Sequence, residues 1–207
     1  MMETLAIVII TEIMYNPASS EKSPVQSEWV ELYNPSDQSI DISGWYLSDE
    51  DGRTDPLPMG TVINPRQAIV LIPGSQSIEE FQQGWGMNIQ AIPVNGWGTR
   101  GLRNLANEPD SMNEVLTLRR DNNTISDEVN YDDEPPWPTD KPEGPSIYLL
   151  PHQVDAIKND SGSSWNRSEL NVHGGHAAKA TDDYSDKDVG SPGVVIVVNQ
   201  PGLNDEN

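Results

Sequence analysis

The sequence predicts an all-β protein, a β-sandwich with long loops and one short helix. Three observations lead there. Pro and Gly number 17 and 16 in 207 residues, Phe occurs once, and apolar residues make up only 35%, a composition of many turns and short strands rather than of a large helical bundle. Apolar, β-branched or alternating segments recur between turn signals at roughly the 8-to-12-residue spacing of a sandwich. Only one stretch carries the chemistry of a helix start.

Leu5 to Ile13 is apolar and β-branched, as suits a strand buried on both faces, and Asn16-Pro17 turns the chain. Glu28 to Tyr33 alternates, with Val30 and Leu32 on one face and Trp29, Glu31 and Tyr33 on the other. Asn34-Pro35-Ser36-Asp37 ends it. Ile40 to Ser48 reads as a third strand in which Trp45 and Leu47 share a face and Gly44 marks a bulge or a close backbone approach. Thr61 to Ile63 is a short strand, and Asn64-Pro65 turns into another at Gln67 to Ile72. Ser77-Ile78-Glu79-Glu80 has the Ser-x-x-Glu form of a capping box, with acids where the helix dipole favours them, and so predicts a helix over Ser77 to Gln83.

Residues 84 to 113 read as a long irregular excursion carrying Gly84-Trp85-Gly86 and Gly96-Trp97-Gly98. Val115 to Leu118 and Ile125 to Tyr131 pair as a hairpin around Asp121-Asn122-Asn123. Asp132 to Pro138 is expected to be extended and exposed, crossing between sheets, because three prolines remove donors and fix φ. Ser146 to Leu150 is a further strand, residues 151 to 190 lack periodicity, and Val194 to Val198 closes the sandwich as an edge strand or extends past it. The domain is read as 5–198, with 199–207 as a disordered tail.

The charge balance is 33 Asp+Glu against 12 Lys+Arg, a formal net charge of -21. Phosphate contacts need clustered cations, so binding of nucleic acid through bulk charge is not expected. The longest apolar run, Leu5 to Ile10, is far below the ~18 residues of a membrane helix, and it lacks the basic flank and small-residue cleavage site of a signal peptide. The absence of Cys excludes disulfides, thiolate catalysis and Cys-based zinc sites. No nucleophile elbow, phosphate-binding Gly-Lys-Ser/Thr loop or His-Glu-x-x-His is present.

Several residues invite a site. Asp49, Asp51 and Asp55 place oxygen ligands around Gly52 like the first half of a calcium loop, but position twelve is Gly60 rather than Glu, which leaves an irregular Ca²⁺ site or a solvated acidic turn. Asp182, Asp183 and Asp186 form a second acidic run, and Asp127, Glu128, Asp132, Asp133 and Glu134 a third. At least one patch is expected to bind Ca²⁺. His173-Gly174-Gly175-His176 has ligand spacing without a helix or a third ligand, which favours a loop over a zinc site. Glu12, Glu28 and Glu31, in or beside strands, need hydrogen-bond partners or a sheet edge. Trp85, Trp97 and Trp137, flanked by Gly or Pro, either present exposed platforms to a sugar or protein partner or pin their loops to the sandwich.

Ile9 to Glu12, Asn16-Pro17, Glu28 to Asn34, Asp41 to Leu47 and Ser191-Pro192-Gly193 resemble the lamin-tail domain family. Its bacterial members run as an apolar strand with Asn-Glu-Ile, then Asn-Pro, Glu-Trp-Val/Ile-Glu-Leu-x-Asn and Asp-Leu-Ser-Gly-Trp-x-Leu. The likeness is dense over residues 7 to 47 and looser through Ile63-Asn64-Pro65, Val115 to Leu118, Trp137-Pro138 and Trp165. It departs at Thr11, where Asn is usual, in 73 to 113 and in the loop 151 to 190. The resemblance implies an immunoglobulin-like β-sandwich that binds or tethers rather than catalyses, and names no ligand; with the loop Trp and acidic groups beside it, the expectation is a module of a larger secreted or cell-surface protein that recognises a protein or glycan through its loops. The alternative it implies is an accessory domain that positions a neighbouring hydrolase or nuclease.

Overall fold

The computed structural model describes residues 7–19, 28–98, 101–102, 105, 114–179 and 185–198. In chain order its elements are β1 (Ile9–Met14), β2 (Trp29–Tyr33), β3 (Ile40–Asp41), β4 (Tyr46–Ser48), β5 (Val62–Ile63), β6 (Ala68–Pro73), α1 (Ile78–Trp85), β7 (Ala91–Val94), β8 (Glu114–Arg119), β9 (Ile125–Tyr131), β10 (Ile147–Leu149), β11 (Trp165–Arg167), β12 (His176–Ala177) and β13 (Val189–Gly190), with three short 3-10 turns after β10. A six-stranded sheet has the order β11-β10-β1-β2-β6-β7; opposite it lie a three-stranded sheet, β4-β8-β9, and the pair β3-β5. The architecture is the predicted immunoglobulin-like β-sandwich.

Alternation explains which face each side chain takes. On β2, Val30 and Leu32 point into the main core, where they meet Ile10 and Ile13 of β1, Ile69 and Leu71 of β6, and Leu47, Leu118 and Val129 from the facing sheet. Trp29 points the other way, into a second core with Met14, Val70 and Ile72, roofed by Phe81 and Trp85 of α1. The large sheet is therefore buried on both faces, which is why β1 and β2 are inaccessible along their whole length. The helix obeys its start signal: Ser77 Oγ accepts from Glu80 N, and Glu80 Oε2 accepts from Ser77 N at 2.9 Å. Burial of a Phe or Trp of this kind contributes about 1.5–3 kcal/mol each.

Four expectations need correction. Gly44 does not sit within a strand: its φ of +78 turns the chain between β3 and β4, with Trp45 N donating to Ile42 O at 3.1 Å. The stretch after α1 contains β7, parallel to β6, a short strand with Pro93 and no alternation to announce it. Residues 132–138 turn rather than run extended, Trp137 N donating to Glu134 O at 3.0 Å. Val194 to Val198 forms no strand; it lies over the second face of the large sheet. The tail 199–207 is outside the described residues.

Candidate functional site

The structure gathers the chemistry at the second face of the large sheet. Register sets Glu12 of β1 against Glu31 of β2 and, on its other side, against Tyr148 of β10. A shift between Ile10 and Glu12 at this point turns both carboxylates away from the main core, and each is 1% exposed.

Their partners come from far along the chain. Glu12 Oε1 accepts from Ser146 Oγ (2.6 Å), Ser191 N (2.8 Å) and, more weakly, Ser168 Oγ (3.3 Å), while Oε2 accepts from Ser191 Oγ at 2.7 Å. Glu31 accepts from Thr11 Oγ1 and Gly193 N, both at 2.7 Å. Desolvation by burial raises both pKa values, that of Glu31 to about 8, to which the neighbouring Glu12 carboxyl adds. Glu12, with four donors directed at it, is the better host for the negative charge. The pair thus clamps the passage from Gly190 onward to the sheet. Gly190 fits so closely that an added Cβ would stand 2.8 Å from Trp29 Cζ2 and 3.1 Å from Glu12 Oε1.

Two clefts adjoin this clamp. Thr11, Glu31, Tyr148, His173 and Ser191 border a cavity of ≈ 10 Å³, room for about one water. Next to it an open cleft of ≈ 460 Å³ lies between the turn at Arg66, the loop leading to β7 and Pro192–Val195.

A third buried carboxylate braces the sandwich. Asp127 Oδ2 on β9 accepts from Ile10 N and Asn159 Nδ2, both at 2.7 Å, and burial pushes its pKa to about 7. The expected surface patch around residues 127–134 is thereby corrected for Asp127, whose strand position faces inward.

Of the two readings open for the tryptophans, platform or anchor, their burial supports the anchor. Trp85 and Trp97 are 4% and 6% exposed. Trp85 packs edge-on against Trp29 at 5.5 Å and its carbonyl lies 2.8 Å from His176 Nε2; Trp97 Nε1 donates to Glu28 Oε2 at 3.1 Å. Trp137 is half-buried, 6.0 Å from the Trp165 ring and against Gly162. Trp85 and Trp97 are held by packing and a side-chain hydrogen bond, and the Trp137 ring is approached closely by the backbone of Gly162, so all three pin their loops.

Of the acidic residues, Asp49 Oδ1 accepts from Asp51 N (2.9 Å) and Gly52 N (2.7 Å), closing its own turn. Asp55 and Asp186 are exposed, and Asp182 and Asp183 lie outside the described residues. Among the described residues no three His, Asp or Glu groups are placed to hold a metal ion. His173 Nδ1 lies 2.8 Å from Tyr148 Oη, so the two histidines serve different neighbours. Also among the described residues, no helix is long and apolar enough to cross a membrane.

Sequence reasoning singled out Glu12 and Glu31 but not their meeting, since donors 134 to 179 residues away leave no local mark. The Arg66 cleft was missed altogether; its only signal was an Arg after Asn64-Pro65, where a Gly would be ordinary. A family model described as Lamin Tail Domain matches residues 3–133. No curated protein matches the chain.

Proposed function

The chain belongs to the lamin tail domain family, and from that premise we propose that it is a non-catalytic recognition module of a larger secreted or cell-surface protein, binding a protein or glycan. The observation that carries this reading is the use to which the buried carboxylates are put. A catalytic acid or base must reach a substrate, whereas Glu12, Glu31 and Asp127 are enclosed and taken up by hydroxyls and amides of the chain itself. The pKa values raised by burial have a structural origin. Loops mounted on the rigid sandwich, and the open cleft beside the clamp, are left as the surface for recognition.

Incubating the chain with arrayed glycans and extracellular proteins tests this. Saturable retention of one ligand class, recovered chemically unchanged, is the expected result. Release of new reducing ends or cleaved product, lost on changing a single residue of the chain, would overturn it.

A further inference from the structure

We propose that the cleft between the Asn64–Gln67 turn, the loop leading to β7 and Pro192–Val195 binds an acidic glycan, with Arg66 gripping a sugar carboxylate. The inference rests on the recognition reading above and names the ligand class.

Arg66 is mounted in an unusual way. Gln67 N donates to Asn64 O at 3.2 Å, closing a four-residue turn with Pro65 at its second position. The third position, Arg66, has φ +58, where such turns ordinarily carry Gly or Asn. The turn is also held from behind: the side chain of the fully buried Asn34 donates to Ile63 O (3.0 Å) and Asn64 O (3.2 Å), while Arg66 N donates to Asn34 O at 3.1 Å. A left-handed arginine costs stability, and its backbone is fixed while its side chain is exposed. Departures from local preference of this kind mark functional positions.

The chemistry around it is that of a polar ligand carrying a planar anion. Among the described residues the side chains of Arg66, Asn88 and Gln90 have no hydrogen-bond or ion-pair partner, and all three line the same ≈ 460 Å³ cleft, a volume within the usual range of ligand sites. A guanidinium holds a carboxylate through two parallel hydrogen bonds. The free amides of Asn88 and Gln90 offer donors and acceptors to hydroxyls. Ile89, Pro192 and Val195 give an apolar wall for the C–H face of a sugar ring.

An extended peptide fits less well. Val70 N donates to Gln90 O and Gly74 N to Val94 O, so the outward backbone positions of the edge strand β7 are Ala91 and Pro93, and Pro93 has no N–H with which to pair an added strand. The chain's net charge of -21 slows the approach of an anion, but that field is screened beyond about 8 Å at physiological ionic strength. Glu31, which accepts from Gly193 N at the cleft wall, has its pKa raised by burial to about 8, which disfavours its negative charge there.

Isothermal titration of the full chain with trigalacturonate, galactotriose and trialanine, repeated on R66Q and R66G, decides the matter. The expected result is binding of trigalacturonate that is weakened roughly tenfold or more by either substitution and is weaker to a similar degree for galactotriose, with the Tm of R66G equal to or above that of the parent. Absence of trigalacturonate binding, or equal binding of galactotriose, overturns the proposal. Trialanine bound through Arg66 in place of the sugar overturns the glycan assignment. Trigalacturonate binding untouched by R66Q removes this cleft but leaves the recognition reading standing, whereas breakdown of trigalacturonate by the chain strikes at that reading instead.

Discussion

Glu12 and Glu31 face each other across β1 and β2, and the groups that donate to them are hydroxyls and backbone amides rather than cations. Two carboxylates desolvated side by side cannot both ionise cheaply. Their environment is therefore proton-linked, and that linkage can be read as stability.

Glu31 has a folded pKa of about 8, raised above its ordinary 4.5. Its protonated form stabilises the fold fully below the unfolded value, and that contribution is lost as pH rises through about 8. Burial raises Glu12 and Asp127 in the same direction. Denaturant unfolding is predicted to show the chain more stable at pH 6 than at pH 9, with a slope of up to about 1.4 kcal/mol per pH unit for each proton difference. Glu31→Gln, which cannot ionise, should flatten this dependence, and an unaltered slope would count against the assignment.

Asp127 joins β9 to β1 and to the 3-10 turn at Asn159 through one oxygen. Asp127→Ala leaves two buried donors unsatisfied and is predicted to cost about 2–4 kcal/mol in equilibrium unfolding. Asp127→Asn retains an acceptor and should cost clearly less; equal losses would show that the two bonds are not what the residue supplies.

The glycine at 190 is required by the close approach of β13 to Trp29 and Glu12. Gly190→Ala forces the ring or the strand aside and is predicted to lower stability by about 1–3 kcal/mol. A near-neutral effect in thermal melts would mean that the passage is loosely held.

Five of the six tryptophans are no more than 6% exposed, and Trp137 alone is half-buried. Iodide should quench only a minor part of the native fluorescence, and Trp137→Phe should remove most of that part. Strong quenching that survives the substitution would place another indole at the surface.

Legibility followed the range of the interactions. The Val30/Leu32 alternation, the Ser77–Glu80 capping box and the hairpin of β8 and β9 depend on neighbours a few residues apart, and each stands where its pattern put it. Those patterns, with the family likeness at residues 7 to 47, were enough for the sandwich. β7 was hidden because a four-residue parallel strand with Pro93 carries no periodicity. Val194 to Val198 left two readings open, edge strand or extension past the sandwich, because a run of β-branched residues resembles a strand in one dimension whether or not it pairs. The tryptophans left two readings open, platform or anchor, because flanking Gly or Pro is compatible with both, and the rings that pack against Trp85 and Trp137 come from elsewhere in the chain. Legible at the site were the two glutamates as residues in search of partners; the partners, and the free arginine beside them, exist only after folding.

The central claim is that the two glutamates are spent on fastening the C-terminal passage, and amide hydrogen exchange tests it most directly. At pH 6 the amides of Ser191 and Gly193 should exchange slowly in the parent chain. In Glu12→Ala/Glu31→Ala they should lose that protection by orders of magnitude more than the amide of Val30 does. Exchange of Ser191 and Gly193 at free-peptide rates in the parent, or protection indifferent to both substitutions, would contradict the account.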